Sequence, residues 1–267
     1  MRESSPVSPL RGLAPYVGGK RVLAAQIVRA IERVPHSCYV EPFVGMGGVF
    51  FRRRSRPRLE VINDYSGDVA TLFRVLQRHY LAFVEMLRWQ LTTRAEFERL
   101  VATDPTTLTD LERAARFFYL QKTAFGGKVS GRNFGVSRTE SGAFDVTRIV
   151  PELEAYHERL AGVVIERLPF AECLRRYDRE GTLFYLDPPY WGSEHYYGRA
   201  LFQRADYEVL AGVLQGLKGR FLMTLNDHAE VRRIFGRLAL KKLSVTYSVH
   251  GQGRAKKAAE LLITAKR

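Results

Sequence analysis

The densest chemistry in this 267-residue chain is Asp187-Pro188-Pro189-Tyr190, which follows the apolar run Leu183-Phe184-Tyr185-Leu186. That run reads as a buried strand. Parallel α/β sheets collect ligands beyond the carboxyl ends of their strands. Two consecutive prolines fix the backbone and remove two N–H donors, so the carbonyls there are rigid. A carboxylate beside a rigid carbonyl is an acceptor pair suited to an amine with two hydrogens. Tyr190 adds a flat face on which a planar ring can stack. An amine conjugated to a ring, as on a nucleobase, is a poor nucleophile, and two acceptors on its hydrogens favour the pyramidal, more reactive form. The plain alternative is a proline-rich turn that ends a strand.

A second motif lies upstream. Phe43-Val44-Gly45-Met46-Gly47-Gly48 follows a short strand at Cys38 to Glu41, and Asp64 ends the next strand nineteen residues after Gly45. Glycines let the backbone turn tightly and approach a ligand, and an acid at this spacing suits the ribose hydroxyls of a nucleotide-like cofactor. Phe50 stands where the third glycine of GxGxxG belongs. The pattern fits an S-adenosylmethionine site or a nicotinamide site, and equally a glycine turn with a helix-capping Asp.

These groups need elements to position them. Apolar spacing predicts a helix over Arg21 to Val34, stopped by Pro35. Strands are predicted at Leu59 to Asn63, with Glu60 its one charged interruption, and at Val163 to Leu168, Thr182 to Leu186, Phe221 to Leu225, Leu243 to Val249 and Leu261 to Thr264. Helices fit at Gly67 to Arg78, Ala205 to Leu217 and His228 to Phe235. The segment from His79 to His157 breaks the alternation, with helical pieces at Tyr80 to Gln90 and Leu111 to Ala124. It then turns into a basic hairpin or loop from Phe125 to Phe144, too glycine-rich for a helix. The fold expected is α/β with a mainly parallel sheet, residues 1–78 and 158–267 forming one domain interrupted by a mostly helical insertion over 79–157.

Composition narrows the partners. The chain has 42 Lys and Arg against 28 Asp and Glu, a net charge of +14. Such an excess favours a polyanion, because neutralised phosphates release counterions; a basic surface kept for solubility is the alternative. Cys38 and Cys173 have no metal-ligand spacing and read as buried free thiols. The six His residues form no HExxH pattern, so no metal is expected. No apolar run is long enough to span a bilayer and Met1 to Leu10 has no apolar signal core, which predicts a soluble, intracellular protein.

Taken in order, these motifs resemble the DNA adenine methylase (Dam) family of amino-methyltransferases over nearly the whole chain. Pro15-Tyr16-Val17-Gly18-Gly19-Lys20 resembles the family's N-terminal Trp-Ala-Gly-Gly-Lys, with Tyr16 for Trp. Glu41 to Phe50 resembles its cofactor loop, Asn63-Asp64 its ribose-binding strand end, and Asp187 to Tyr190 its catalytic motif. Leu222 to Asp227, Tyr247 to Val249 and Glu260 to Ile263 look like its late strands. Gln121 to Val136 resembles its target-recognition region, with Gln-Lys and Phe-Gly-Gly where Asn-Arg and Phe-Asn-Gly are usual. Pro169 stands where the family commonly has an Asp for the cofactor's adenine amine, while Phe170 keeps a stacking ring.

The resemblance implies a Rossmann-like, seven-stranded methyltransferase sheet with a reversed final hairpin, and S-adenosylmethionine as donor without metal. It implies catalysis by Asp187, Pro188, Pro189 and Tyr190, and cofactor binding by Tyr16, Lys20, Glu41, Phe43, Gly45, Gly47, Asp64, Phe170 and Asp187. The expected reaction is methylation of the N6 amine of an adenine flipped out of double-stranded DNA, with a monomer favoured over an assembly. Lys122, Lys128, Arg132 and Arg138 are the candidate phosphate contacts, and Asn133 and Arg138 have donors suited to base edges. Trp191 to Gly198 reads as a flap over the base or as a surface loop. The same chemistry on N4 of cytosine, RNA adenine or a glutamine side chain, an inactive DNA-binding module and a nicotinamide oxidoreductase are the rival readings. Glutamine modifiers usually carry Asn in place of Asp187.

Overall fold

A computed structural model of the chain describes residues 4–16, 18–20, 23–135, 142, 144–194, 201–247 and 256–266. In chain order its elements are β1 (Ser4–Pro6), α1 (Ala24–Glu32), β2 (Cys38–Glu41), β3 (Ser55–Pro57), β4 (Leu59–Asn63), α2 (Gly67–Arg78), α3 (Tyr80–Arg88), α4 (Arg94–Ala102), α5 (Asp110–Thr123), α6 (Val146–Leu160), β5 (Val164–Glu166), α7 (Phe170–Tyr177), β6 (Thr182–Leu186), α8 (Arg204–Gln215), β7 (Arg220–Asn226), α9 (Ala229–Ile234), β8 (Ala239–Tyr247) and β9 (Lys256–Thr264). β1 and β3 form a small antiparallel pair of their own.

The main sheet has seven strands in the order β5-β4-β2-β6-β7-β9-β8. The first five run parallel, while β9 is antiparallel to both β7 and β8. This is a seven-stranded, mostly parallel sheet with a reversed final hairpin. From β2 the chain builds outward through β4 to β5, then crosses to β6 on the other side. The crevice above β2 and β6 is therefore the switch point at which such sheets bind ligands.

Burial follows from the sequence alternation. Every residue of β2 and β6 is buried, as expected for central strands covered on both faces. Tyr39, Ile62, Leu183 and Tyr185 point to one face, where they share an apolar cluster with α1, α2, α3, α5 and α6. Cys38, Val40, Val61, Phe184 and Leu186 point to the other and pack under α7, α8 and α9. Both cysteines are free and buried in this second cluster, and burial pushes the Cys173 thiol up to about 12.

The helices of 79–157 do not stand apart from this core. Phe83, Phe117, Phe118, Ile149 and Leu153 belong to the same cluster as Phe51 and Phe73. Glu60 reinforces the junction. Its buried carboxylate accepts from Arg53 at 2.6 Å and from Arg159, at the end of α6, at 2.7 Å. The charged interruption of β4 is thus a buried ion-pair centre joining α6 to the sheet. An acid so paired is tolerated, whereas removing it would strand two guanidinium groups at a cost of about 3–5 kcal/mol.

Several expected bounds shift. The strand expected from Leu243 begins at Ala239, because Lys241 and Lys242 are exposed on a sheet edge, where charge is tolerated. Its expected final residues, Ser248 and Val249, lie outside the described residues. The last strand begins at Lys256 instead of Leu261. The loop after α5 closes through one antiparallel bridge, Ala124 to Phe134, flanked by Phe125 N–H to Asn133 O and Gly135 N–H to Thr123 O, both 2.8 Å. Among the described residues, no helix is long and apolar enough to cross a membrane.

Candidate active site

The carboxyl ends of β2, β4 and β6 open into a cavity of about 1420 Å³. Its wall includes Tyr16, Lys20, Glu41, Phe43, Gly45, Asp64, Phe170 and Asp187, eight residues singled out from the sequence, together with Pro189 and Lys122. Gly47, Pro188, Tyr190, Lys128, Arg132 and Asn133 are not part of that wall.

The turn after β2 shows why glycine is required. Gly45 has φ +51°, a conformation costly for residues with a Cβ. A Cβ there would lie 3.1 Å from the Tyr16 ring. Its N–H donates to Asp64 Oδ2 at 3.0 Å, and Asp64 Oδ1 accepts from Ser66 N–H at 2.9 Å. Burial pushes the Asp64 carboxyl up to about 6, against the pull of those two donors. Gly47, expected to contact the cofactor, lies off the cavity wall. Its φ is +70° and a Cβ would meet the Phe51 ring at 2.4 Å, so it makes room for the core. Gly47→Ala is expected to destabilise the fold by about 2 kcal/mol through strain and overpacking. Denaturant unfolding checks this; a midpoint equal to wild type would contradict it.

Asn63, one residue before the acid, locks neighbouring loops together. Its side chain donates to Pro42 O at 2.9 Å and Leu168 O at 3.1 Å, and accepts from Leu168 N–H at 2.8 Å. This places Pro169-Phe170 beside Phe43, whose ring centroid lies 5.6 Å from that of Phe170. Phe202 closes the group, 5.9 Å from Phe43 and 5.7 Å from Phe170. Three rings thus wall one side of the cavity. Phe202 was not singled out from the sequence, where an isolated Phe ahead of a helix carries no signal.

The Asp187 end is a buried polar network. Lys20 Nζ lies 2.5 Å from Asp187 Oδ1 and donates to the Tyr190 hydroxyl at 2.6 Å and Gly18 O at 3.3 Å. Thr224, on β7, donates to the same Asp187 oxygen at 3.0 Å and bonds the Tyr185 hydroxyl at 2.9 Å. Glu260, on β9, stands 3.9 Å from the Lys20 ammonium. Burial raises the Asp187 carboxyl to about 6, opposed chiefly by Lys20. It raises Glu41 to about 8, although Glu41 Oε1 accepts from the Tyr39 hydroxyl at 2.6 Å. The Tyr190 phenol is pushed far up by burial, then by Asp187 and Glu260. Lys20, expected from its motif to serve the cofactor, thus lines the cavity and also contacts Asp187 and Tyr190.

The two proline carbonyls are not equivalent. The Tyr207 hydroxyl, from α8, donates to Pro189 O at 2.8 Å. None of the described residues donates to the Pro188 carbonyl. Asn226 clamps the next residue from both sides, accepting from Trp191 N–H at 3.0 Å and donating to Trp191 O at 3.1 Å. Trp191 itself packs against Tyr207 and stacks on His228, so the first residue of the expected flap is anchored. Residues 195–198 of that stretch lie outside the described residues.

The expected DNA contacts divide. Lys122 lies over the Phe118 ring, 3.9 Å from Glu152, with burial lowering its ammonium. Arg132 turns inward, donating to Gln121 Oε1 at 2.9 Å and Lys128 O at 3.1 Å, and burial takes it down to about 10. Asn133 is exposed and Lys128 half-buried. Arg138 lies outside the described residues. The same loop presents Phe125, 70 % exposed, next to Gly126 on the cavity wall.

A parallel sheet with a reversed last hairpin, a glycine turn facing a strand-end acid and an Asp-Pro-Pro-Tyr acceptor motif at the switch point are features of amino-methyltransferases. The chain belongs to the family of D12 class N6 adenine-specific DNA methyltransferases, whose sequence profile matches residues 16–249. It is an adenine-specific DNA methyltransferase, and S-adenosylmethionine is its methyl donor. It is 25% identical over 278 residues to the DNA adenine methylase of Escherichia coli (strain K12), covering 95% of this chain and 94% of that one. It is 25% identical over 268 residues, with the same shares covered, to the DNA adenine methylase of Salmonella typhi. Its identity to the type II methyltransferase M.CviBI of Paramecium bursaria Chlorella virus NC1A is 21% over 230 residues, covering 85% and 86%.

Proposed function

We propose that this chain methylates N6 of an adenine flipped out of duplex DNA at a specific sequence, with Asp187 and the Pro188 carbonyl as the two acceptors for the target amine. The observation that carries the assignment is the inequality of the proline carbonyls. Tyr207 occupies that of Pro189, which leaves that of Pro188, beside Asp187, for a substrate donor. Thr224 fixes the Asp187 carboxylate, and Asn226 and Tyr207 fix the backbone after it. Acceptors held this rigidly reorganise little during the reaction, where electrostatic preorganisation counts most.

The cavity fits the cofactor together with a base. At about 1420 Å³ it exceeds the roughly 300–1,000 Å³ typical of one small ligand. Asp64 is the acid for ribose hydroxyls, Gly45 allows close approach of the backbone, and Phe43 and Phe170 are the rings for the adenine moiety. Glu41, Tyr16 and Lys20 complete that wall. Bound S-adenosylmethionine supplies an electrophilic methyl group on sulfonium. The chain's part is to orient the amine toward it, to exclude water and to accept hydrogen bonds from the amine's protons. No nucleophilic side chain is required, in keeping with two buried, inert cysteines.

Residues 79–157 form the target-recognition part in this reading, inserted into the catalytic segments 1–78 and 158–267. The loop closed by the Ala124–Phe134 bridge and the sequence on either side of it carry its contacts. Lys128 and Arg138 are assigned to phosphates, Asn133 and Arg138 to base edges, and Lys122 to the cavity mouth. Arg132 acts from within, holding the loop onto Gln121. Phe125 is the apolar ring available to fill the gap left by an extruded base, which offsets part of the few kcal/mol that flipping costs.

Transfer of labelled methyl groups to unmethylated duplex DNA, with RNA and protein as parallel acceptors, tests this reading. Label in N6-methyladenine of the duplex is expected, and label confined to another acceptor would overturn it.

A further inference from the structure

Five carboxylates line the cavity: Glu41, Asp64, Glu152, Asp187 and Asp206. Glu41, Asp64 and Asp187 already have roles there, and Glu152 is largely exposed beside Lys122. Asp206 has none so far. It is half-buried in the first turn of α8, in the same short stretch as Phe202.

Its plain role is structural. Asp206 Oδ2 accepts from Gln203 N–H at 2.7 Å, which caps the helix. That bond occupies one oxygen. Among the described residues, none donates to Oδ1. The side chain is nonetheless on the cavity wall, next to the face built by Phe43, Phe170 and Phe202. Tyr207, the following residue, packs edge-on against Phe202 at 4.8 Å and so ties this turn of α8 to the rings.

Rings hold a flat ligand, but a few polar groups decide which flat ligand it is. The other polar atoms bordering these rings are occupied. Pro169 has no polar side-chain atom, and its carbonyl accepts from Glu172 N–H and Cys173 N–H, both at 3.0 Å. Leu168 O accepts from the Asn63 side chain at 3.1 Å. Asp64 accepts from the N–H groups of Gly45 and Ser66. Gln203, also on the wall, is exposed. Asp206 Oδ1 is therefore a charged acceptor with an open position beside a stacking surface.

We infer that Asp206 is a specificity residue for the cofactor, its Oδ1 accepting from the exocyclic amine of the S-adenosylmethionine adenine that stacks on these rings. This rests on the reading of Phe43 and Phe170 as the rings for the adenine moiety. One side chain then serves twice: one oxygen caps α8 and the other reads the amine. The acceptor that Pro169 does not offer comes from across the ring wall, on the turn that also carries Phe202.

The test compares the binding of two ligands by calorimetry. One is S-adenosylhomocysteine. The other is its analogue with purine in place of adenine, so that hydrogen stands where the amine was. The wild type is expected to prefer the amine-bearing ligand about tenfold, as one hydrogen bond to a charged acceptor is at stake. In Asp206→Asn the amide oxygen keeps the helix cap, because only it can accept from Gln203 N–H. The NH₂ is left toward the rings, where it cannot accept from an amine. The preference is expected to fall to about one through weaker binding of S-adenosylhomocysteine, the purine analogue binding as it does to the wild type. A wild type without a preference would overturn the inference, as would a preference that Asp206→Asn leaves at its wild-type size.

Phe170→Ala separates this inference from the reading beneath it. Weaker binding of both ligands keeps the rings as the adenine site, and an unmoved preference in Asp206→Asn then refutes Asp206 alone. Unchanged binding of both ligands refutes the ring wall, and the role of Asp206 with it.

Discussion

Asp187→Asn is expected to lower kcat for methyl transfer by roughly 10³-fold while the protein stays folded. The substitution keeps the shape of the side chain and removes its charge. An amide can present its NH₂ where the target amine needs an acceptor, and it no longer balances Lys20. Loss of a single preorganised hydrogen-bonding group at a reacting centre typically costs about 10²–10³ in kcat, and here the charge is lost with it. The fold is expected to survive because Lys20 still contacts the Tyr190 hydroxyl and Gly18 O and faces Glu260. Single-turnover transfer into DNA reads the effect, with thermal unfolding as control. A rate within tenfold of wild type would remove Asp187 from the reaction.

The same carboxylate sets a pH dependence. Asp187 and Asp64 are both raised by burial to about 6. Each must be ionised to accept strongly, so kcat/KM is expected to fall as pH drops through about 6. Stability moves the other way over this window. A carboxyl whose folded pKa lies above its unfolded value of 3.8 stabilises the fold most below that value, and the contribution is lost as pH rises through about 6. Activity and this part of the stability therefore oppose one another, as expected where a site is organised for chemistry at the expense of the fold.

The second large effect is on cofactor affinity. Asp64→Ala is expected to raise the dissociation constant for S-adenosylmethionine about 10²-fold, since two hydrogen bonds to a charged acceptor are lost at about 1.5–3 kcal/mol each, partly offset by water. The value of kcat at saturating cofactor should change little, because Asp64 does not touch the Asp187 network. It also holds the glycine turn through Gly45 N–H and Ser66 N–H. Asp64→Asn, which keeps one acceptor, is therefore expected to fall between Ala and wild type. Equilibrium binding of the cofactor measures both. An unchanged constant in Asp64→Ala would contradict the ribose assignment.

The strands that carry the chemistry were legible because they are buried on both faces and end in distinctive residues. Cys38–Glu41, Leu59–Asn63 and Thr182–Leu186 have the bounds read from the apolar runs, and helix Gly67–Arg78 has the bounds read from its spacing. Less regular elements escaped. β1 and β3 contain Pro and Ser and gain their pairing only from the tertiary fold. Helix Val146–Leu160 carries Pro151, a residue that ordinarily argues against a helix interior.

The site was half legible. Motifs supplied Asp64, Asp187 and the glycine turn. Lys20 was found by its motif but its pairing with Asp187 was not, because nothing in a linear sequence shows that residues 20 and 187 meet at 2.5 Å. Thr224, Tyr207 and Phe202 reach the site only through the sheet order and the packing of α8, and Glu260 only through the reversal of β9. The stretch from Phe125 to Phe144 read as a basic hairpin or loop, with Lys128 and Arg132 as phosphate contacts. Arg132 nonetheless lies inward because the Gln121 side chain, buried at the end of α5, offers it an acceptor.

The most direct test is nucleoside analysis of unmethylated duplex DNA after incubation with the wild-type protein and labelled S-adenosylmethionine, with Asp187→Asn alongside. Label in N6-methyladenine from the wild type and none from the variant is the predicted result. Label in N4-methylcytosine, or in RNA or protein in place of DNA, would contradict it, as would equal labelling by the variant.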